Sequence, residues 1–314
     1  DTAGAVYTFR ITAANGLISK EASISVKKDS VNPDGDITIR ENSVKKFINA
    51  ISFGLFFKDN VDVEITGTDE LSGIASVQYY RSDKILTEEQ VKSLDNWSAY
   101  TATISEKPED AEKFVYYVKV TDNAGNITFF GSDGVVFDLT APAVEGVAGN
   151  GTYYTTQKPV VTDDNLDSVT VNGQPVEGDI VLSGNVDMTY TIAAIDKAGN
   201  TTTVTVTMKR IASLAEDISG ITTDNVKSSD EEIIEKVKAD VEALDTTHAT
   251  DAEKDELKAL IDHCDALLNT IKDVADETKA DGTPQTGENR NLWMWLALAF
   301  ISGGAVLTVK RKKE

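Results

Sequence analysis

The chain has 314 residues, room for two to four domains of roughly 100–150 residues each. It carries 52 acidic against 30 basic residues, a net charge of −22. That balance excludes nucleic acid as a partner, because phosphate binding needs a basic face, and it suits a soluble exposed surface. A single cysteine, Cys264, rules out an internal disulfide, and two histidines, His248 and His263, leave little material for histidine catalysis or a zinc site.

The sequence opens on Asp1, without methionine and without a basic-then-apolar signal segment. Val6 to Ile11 alternates at once like a strand. The expectation is a fragment whose upstream part is missing.

Three segments then share one pattern. Tyr7 to Gly16, Tyr117 to Asn126 and Tyr190 to Asn200 are alternating runs that end in Asn/Asp/Gly turns. Return strands are expected at Ala22–Val26, Gly134–Phe137 and Thr203–Met208, making three β-hairpins. Asp29-Ser30-Val31-Asn32-Pro33 and Asp138-Leu139-Thr140-Ala141-Pro142 both read D-x-x-x-P, at the same spacing after the turn glycines Gly16 and Gly125. Proline after a strand stops sheet pairing, so each marks a domain joint.

This arrangement resembles tandem bacterial immunoglobulin-like domains, in which a DxAGN turn closes the last hairpin and a DxTAP-type linker leads on. The resemblance covers about residues 1–211. It implies the end of a truncated domain at 1–31, a full sandwich at 32–140 and a smaller one at 141–211. Within the second, Ser52–Phe57, Val61–Thr66, Ile74–Arg81 and Tyr100–Ile104 read as strands. Thr87-Glu88-Glu89-Gln90 reads as a capping box opening a short helix that ends near Leu94, with Trp97 and Tyr100 closing one end of the sandwich. In the third domain strands are expected near Tyr153, Val160, Val169, Ile180 and Tyr190, with a hairpin turn at Asn172-Gly173.

Aromatics able to stack on a glycan are Trp97, Tyr79, Tyr80, Tyr153 and Tyr154. Neighbours on a strand face opposite ways, so one of each tyrosine pair is expected in the core. Trp97 stands as the candidate ligand contact. Acid-rich turns at Asp69, Asp122, Asp138 and Asp163-Asp164 fit no spaced calcium loop and read as solvated turn carboxylates. No metal ligand set and no cofactor is expected, and no Lys–Asn pair stands out for an isopeptide bond.

Beyond Arg210 the apolar period changes from two to 3.6. Ser213-x-x-Glu216, Ser229-x-x-Glu232 and Thr250-x-x-Glu253 read as capping boxes. Ile234, Val237, Val241 and Leu244 form one stripe; Leu257, Leu260, Ile261, Cys264, Leu267, Leu268, Ile271 and Val274 form another. The expectation is a three-helix spacer at 213–275, with Cys264 buried in its seam, then a polar wall tether at 276–291.

From Leu292 to Val309 the chain is uncharged, which reaches the ~18 residues of a membrane-span candidate. The cluster Lys310-Arg311-Lys312-Lys313 follows, in a tail at 310–314 expected in the cytoplasm. Just upstream stands Thr283-Pro284-Gln285-Thr286-Gly287. This three-part end resembles the sortase sorting signal, LPxTG then an apolar span then a basic tail. The resemblance implies cleavage after Thr286, whose carbonyl passes first to the sortase cysteine and then to an amine of a peptidoglycan precursor. The span at 292–309 then holds the chain in the membrane only before sorting. Thr283 replaces the family's leucine, which leaves open which sortase acts. An ordinary single-span membrane protein is the alternative.

The expected fold class is thus multidomain: all-β immunoglobulin-like sandwiches, a small α-helical bundle and a C-terminal hydrophobic sorting helix. The expected place is the cell wall, on the extracellular surface of a Gram-positive bacterium. No phosphate loop, metal cluster or nucleophile–histidine pair is present, so this stretch is expected to be non-catalytic. Three roles remain: a stalk and anchor, an adhesin whose sandwiches bind a host glycan or protein, or the non-catalytic end of a wall-anchored enzyme such as a glycoside hydrolase.

Overall fold

The computed structural model describes residues 2–17 and 19–277. The sorting motif Thr283–Gly287, the apolar run Leu292–Val309 and the basic tail lie outside the described residues. Among the described residues no helix is long and apolar enough to cross a membrane. The chain divides into two compact units. One comprises Asp1–Ala143, Thr162–Ser168 and Ala194–Thr202; the other comprises Val144–Val161, Val169–Ala193 and the chain from Thr203.

The first unit begins with an antiparallel hairpin of β1 (Thr2–Thr12) and β2 (Ser19–Lys28). Its register places Tyr7 opposite Ile24 and Phe9 opposite Ala22, so one face is apolar and the other carries Thr8, Arg10, Glu21 and Ser23. The apolar face is bare: Tyr7 is 54% exposed, Phe9 58% and Ile11 74%.

A sandwich follows. One sheet runs β10-β7-β3-β4, built from β3 (Asp34–Ile39), β4 (Asn42–Ser43), β7 (Val61–Thr68) and β10 (Ile104–Glu106). The other contains β5 (Lys45–Lys46), β6 (Leu55–Phe57), β8 (Ile74–Ser82), β9 (Ser98–Ala99), β11 (Lys113–Asp122), β12 (Ile127–Ser132) and β13 (Val135–Phe137). Alternation decides what each face buries. Ile37 and Ile39 of β3 meet Val61, Val63 and Ile65 of β7 and Phe114, Tyr116, Val118 and Val120 of β11 in one core. Burying each of the aliphatic and phenyl side chains is worth roughly 1.5–3 kcal/mol.

The opposite face of β11 is buried too. Val115 and Tyr117 pack with Ile48, Ile51, Leu86 and Val91 in a second core, roofed by helix α1 (Glu88–Lys92). Thr87 caps α1 as expected: its Oγ1 accepts the Gln90 N–H, and Gln90 Oε1 accepts the Thr87 N–H. The Leu86 N–H donates to Tyr117 Oη at 2.6 Å, which ties the loop before α1 to the sheet.

Several sequence expectations are corrected here. The strand returning from the 122–126 turn is β12, not Gly134–Phe137. Residues 135–137 form β13, antiparallel to β11 and parallel to β6. Strand structure begins at Leu55 rather than Ser52, and residues 100–103 are not a strand. The central strand β3 was not among the expected strands. Trp97 and Tyr100 do not close one end together, because Trp97 joins the second core and Tyr100 the first.

Between residues 143 and 208 a sheet is ordered β15-β20-β19-β17-β18, from β15 (Gly151–Tyr153), β17 (Leu166–Val171), β18 (Gln174–Pro175), β19 (Met188–Asp196) and β20 (Thr201–Met208). A two-stranded sheet pairs β14 (Ala143–Glu145) with β16 (Val160–Thr162). Ile180, Leu182, Ile192, Val206 and Met208 form the core. The Asn172-Gly173 hairpin forms as expected, with φ values of 51° and 75° and Val171 paired with Gln174. Ile180 is buried but lies in no strand; its neighbour Leu182 makes only an isolated bridge to Gln157.

The helical part comprises a 3₁₀ segment at Ile211–Ile218 and two α-helices, α2 (Glu231–Glu242) and α3 (Asp251–Glu277). Ile218, Ile234, Val237, Cys264, Leu267, Leu268 and Ile271 form one core between them. The Thr250–Glu253 capping box is present, with bonds of 2.7 and 3.3 Å. The other two boxes are absent: the 3₁₀ segment has no side-chain cap, and Asp230, not Ser229, is the N-cap of α2. Val274 is 53% exposed, so the buried stripe ends at Ile271. Residues 276 and 277, expected to begin the polar tether, continue α3.

Candidate functional site

Of the sequence-predicted site residues, Thr283, Pro284, Gln285, Thr286, Gly287 and Lys310 to Lys313 fall outside the described residues. Trp97 lies within them, half-buried. Its ring centroid is 5.9 Å from that of Phe129, and its indole N–H donates to Leu94 O at 3.0 Å. Both its apolar body and its donor are already engaged inside the sandwich. Tyr79 and Tyr80, on opposite faces of β8, are both half-buried and pack against different cores. Tyr153 packs in the core of the second unit with its hydroxyl accepting from Ala148 N–H, and Tyr154 packs beside Ile211, Val241 and Leu257.

Among the described residues, two groups of carboxylates converge from turns that lie far apart in the sequence. In the first, one oxygen each of Asp29, Asp69 and Asp122 lies within 4.8 Å of the others. The second does the same with Asp138, Asp163 and Asp196. Both groups belong to the first unit. The two are built alike. Asp29 and Asp138 are the first residues of the D-x-x-x-P linkers. Asp122 and Asp196 open the D-x-A-G-N turns. Asp69 and Asp163 come from the loops between two strands, β7 and β8 in one case and β16 and β17 in the other.

Each turn folds around its own aspartate. Asp122 Oδ1 accepts the N–H of Ala124 and of Asn126, and its Oδ2 accepts the Asn126 side-chain amide at 2.7 Å. Asp196 receives Asn200 in the same way, at 2.8 and 2.7 Å. Gly125 and Gly199 take φ values of 94° and 87°, where a side chain is strained. Asp69 Oδ1 accepts N–H bonds from Leu71, Ser72 and Gly73.

The electrostatics of the two groups differ. Burial of Asp122 opposes its ionisation, but the Asn126 amide and the turn N–H groups outweigh it and hold the carboxyl below its usual value. Asp163 is raised above its usual value by burial, with repulsion from Asp138, Asp196 and Asp164 adding to it against one bond from Asn165 N–H. An open cleft of about 600 Å³ borders this second group, lined among others by Asp110, Lys113, Phe137, Thr140 and Asp164. Carboxylate oxygens are the donors a hard cation such as calcium takes. Here many of them already accept bonds from the protein.

Cys264 is fully buried, and burial pushes its thiol pKa up; His263 next to it is pushed down by burial. Lys45 Nζ stands 2.5 Å from Asp34 Oδ1, but that carboxylate is 74% exposed and held low chiefly by the lysine itself. An ion pair whose carboxylate stands largely in water lacks the buried setting of an amide cross-link.

Residues 22–139 match a family described as a bacterial immunoglobulin-like domain. Residues 277–314 match the LPXTG cell wall anchor motif. No curated protein matches the chain. Among solved structures, the chain resembles the fibronectin(III)-like modules of Clostridium thermocellum CbhA at 11% identity and a TM-score of 0.30, covering 55% of this chain and 94% of that one. It also resembles the FN1–FN3 domains of chicken CNTN1 at 13% identity and a TM-score of 0.26, covering 65% and 78%. At those scores neither carries an argument about this chain.

Proposed function

We propose that residues 1–314 serve as the stalk and anchor of a cell-wall-attached surface protein of a Gram-positive bacterium with immunoglobulin-like domains. The observation that carries the proposal is the anchor match at 277–314, which contains Thr283-Pro284-Gln285-Thr286-Gly287, the apolar run and the basic tail. Sortase cuts after Thr286 and joins its carbonyl to a peptidoglycan amine. The membrane span serves only until that transfer.

The described residues fit a load-bearing role. Strand β11 is buried on both faces, and the acidic surface suits projection into water. The β1–β2 hairpin leaves Tyr7, Phe9 and Ile11 bare on one face. Residues 213–275 act as a helical spacer. Trp97 packs inward, which leaves the adhesin reading without its candidate contact.

The proposal is tested by expressing the chain and its Thr286→Ala variant in a sortase-bearing Gram-positive host and fractionating the cells. The chain is expected in the peptidoglycan fraction and the variant in the membrane. Equal membrane retention of both would sink it.

A further inference from the structure

The two D-x-A-G-N turns do more than close hairpins. Asn126 Nδ2, which bonds its own Asp122, also donates to the backbone carbonyl of linker residue Asp29, at 3.4 Å. Asn200 Nδ2 does the same to Asp138 O at 2.8 Å and reaches Thr140 O at 3.5 Å. The linker carboxylate is held from a second side. Asp29 Oδ2 accepts the Ser72 N–H at 3.1 Å, and Asp138 Oδ2 accepts the Asn165 side-chain amide at 2.7 Å. A third tie joins the turn to the same loop: Asn123 N–H donates to Gly73 O at 2.9 Å, and Lys197 N–H donates to Asn165 O at 3.0 Å.

So the same six-part arrangement recurs with different residues around it. It consists of a linker aspartate, a turn aspartate, a turn asparagine, a positive-φ glycine, a loop aspartate and a loop donor. We infer that the D-x-A-G-N turn together with the loop at 69–73, or at 163–165, is a latch that grips the linker aspartate preceding each sandwich and fixes the direction in which the chain enters it. The acceptor atoms are equivalent in the two copies; the loop donor differs, being the Ser72 N–H in one and the Asn165 side-chain amide in the other.

The chain carries its own contrast. Aligned on Gly16, the turn of the first hairpin has Ala13 and Leu17 where the others have aspartate and asparagine. Neither side chain can make the latch, and Leu17 is 83% exposed. The latch therefore belongs to the turns at 122–126 and 196–200, and is not a general property of hairpins in this chain.

The test measures the width of the distance distribution between spin labels on Lys20→Cys, in the hairpin, and Glu64→Cys, in β7, in the full chain with Cys264→Ala. Without further change a single narrow distribution is expected. Asn126→Ala and, separately, Asp29→Ala should each broaden it at least twofold. Asp29→Ala alters only the linker and leaves every bond within the turn, so it remains decisive if Asn126→Ala impairs folding. An unchanged width in Asp29→Ala overturns the latch. The measurement is made on purified protein and does not depend on wall attachment, so its failure is distinct from failure of the anchor proposal.

Discussion

Glu253 reaches Thr156 with one carboxylate oxygen and caps its own helix with the other. Oε1 accepts the Thr156 N–H at 3.1 Å and the Thr156 hydroxyl at 2.9 Å, while Oε2 accepts the Thr250 N–H at 2.7 Å. Glu253 is 5% exposed. A single buried carboxylate therefore both starts α3 and docks it on the loop residue Thr156, between β15 and β16 of the same unit. Hydrogen bonds to a charged group contribute about 1.5–3 kcal/mol each, and a stranded donor costs more. Glu253→Ala is expected to destabilise the second unit by about 3 kcal/mol in urea unfolding. Glu253→Gln, which keeps an acceptor, should cost less than half of that. Equal losses would show that the acceptor role is not what matters.

The same docking leaves no room at Gly184. A Cβ there would collide with the Thr156 backbone and the Glu253 carboxylate. Gly184→Ala should lower stability by about 2 kcal/mol or more, the scale of overpacking a close contact. Gly149→Ala is the control, because nothing lies within 4 Å of its added Cβ.

At Asp163 burial, and after it the neighbouring carboxylates, work against the fold. Its folded pKa lies above the unfolded value near 3.8, so the ionised form costs stability at neutral pH. That cost fades as pH falls through the folded value and is gone below the unfolded one. Asp163→Asn keeps an oxygen for the Asn165 N–H. It should stabilise the first unit by roughly 0.5 kcal/mol at pH 7, the scale of partly exposed charge pairs. The gain should vanish by pH 3 in thermal melts. A loss at pH 7 would contradict it.

Trp97 bears on stability. Packed on Phe129 with its N–H satisfied, it should cost about 2 kcal/mol on replacement by alanine, below the range for fully buried aromatics. Chemical denaturation measures this directly. A Trp97→Ala protein as stable as the parent would place the indole outside the second core.

Local chemistry was legible wherever one short segment decides the outcome. The turn glycines, the Asn172-Gly173 hairpin, the Thr87 and Thr250 caps and the burial of Cys264 all follow from residues a few positions apart. The failures share a cause. Strand β12, Ile-Thr-Phe-Phe-Gly-Ser, does not alternate cleanly, because Phe129 and Phe130 feed cores on opposite faces of one sheet. Ile180 reads as strand because it is buried, yet burial alone does not pair its backbone. Ser213 and Ser229 fit the capping pattern, but the helices start elsewhere. The carboxylate groups were visible as separate motifs, the D-x-x-x-P linkers and the D-x-A-G-N turns. Their convergence needs a third aspartate from a distant loop, which no local pattern supplies.

The central claim is that this chain ends, in the wall, at Thr286. The direct measurement is mass spectrometry of the C-terminal peptide released from purified walls by a muramidase and a protease. The account predicts a peptide that stops at Thr286 and carries the mass of a peptidoglycan fragment on its carbonyl. A wall-associated peptide that reads through Gly287 into Leu292 would contradict it.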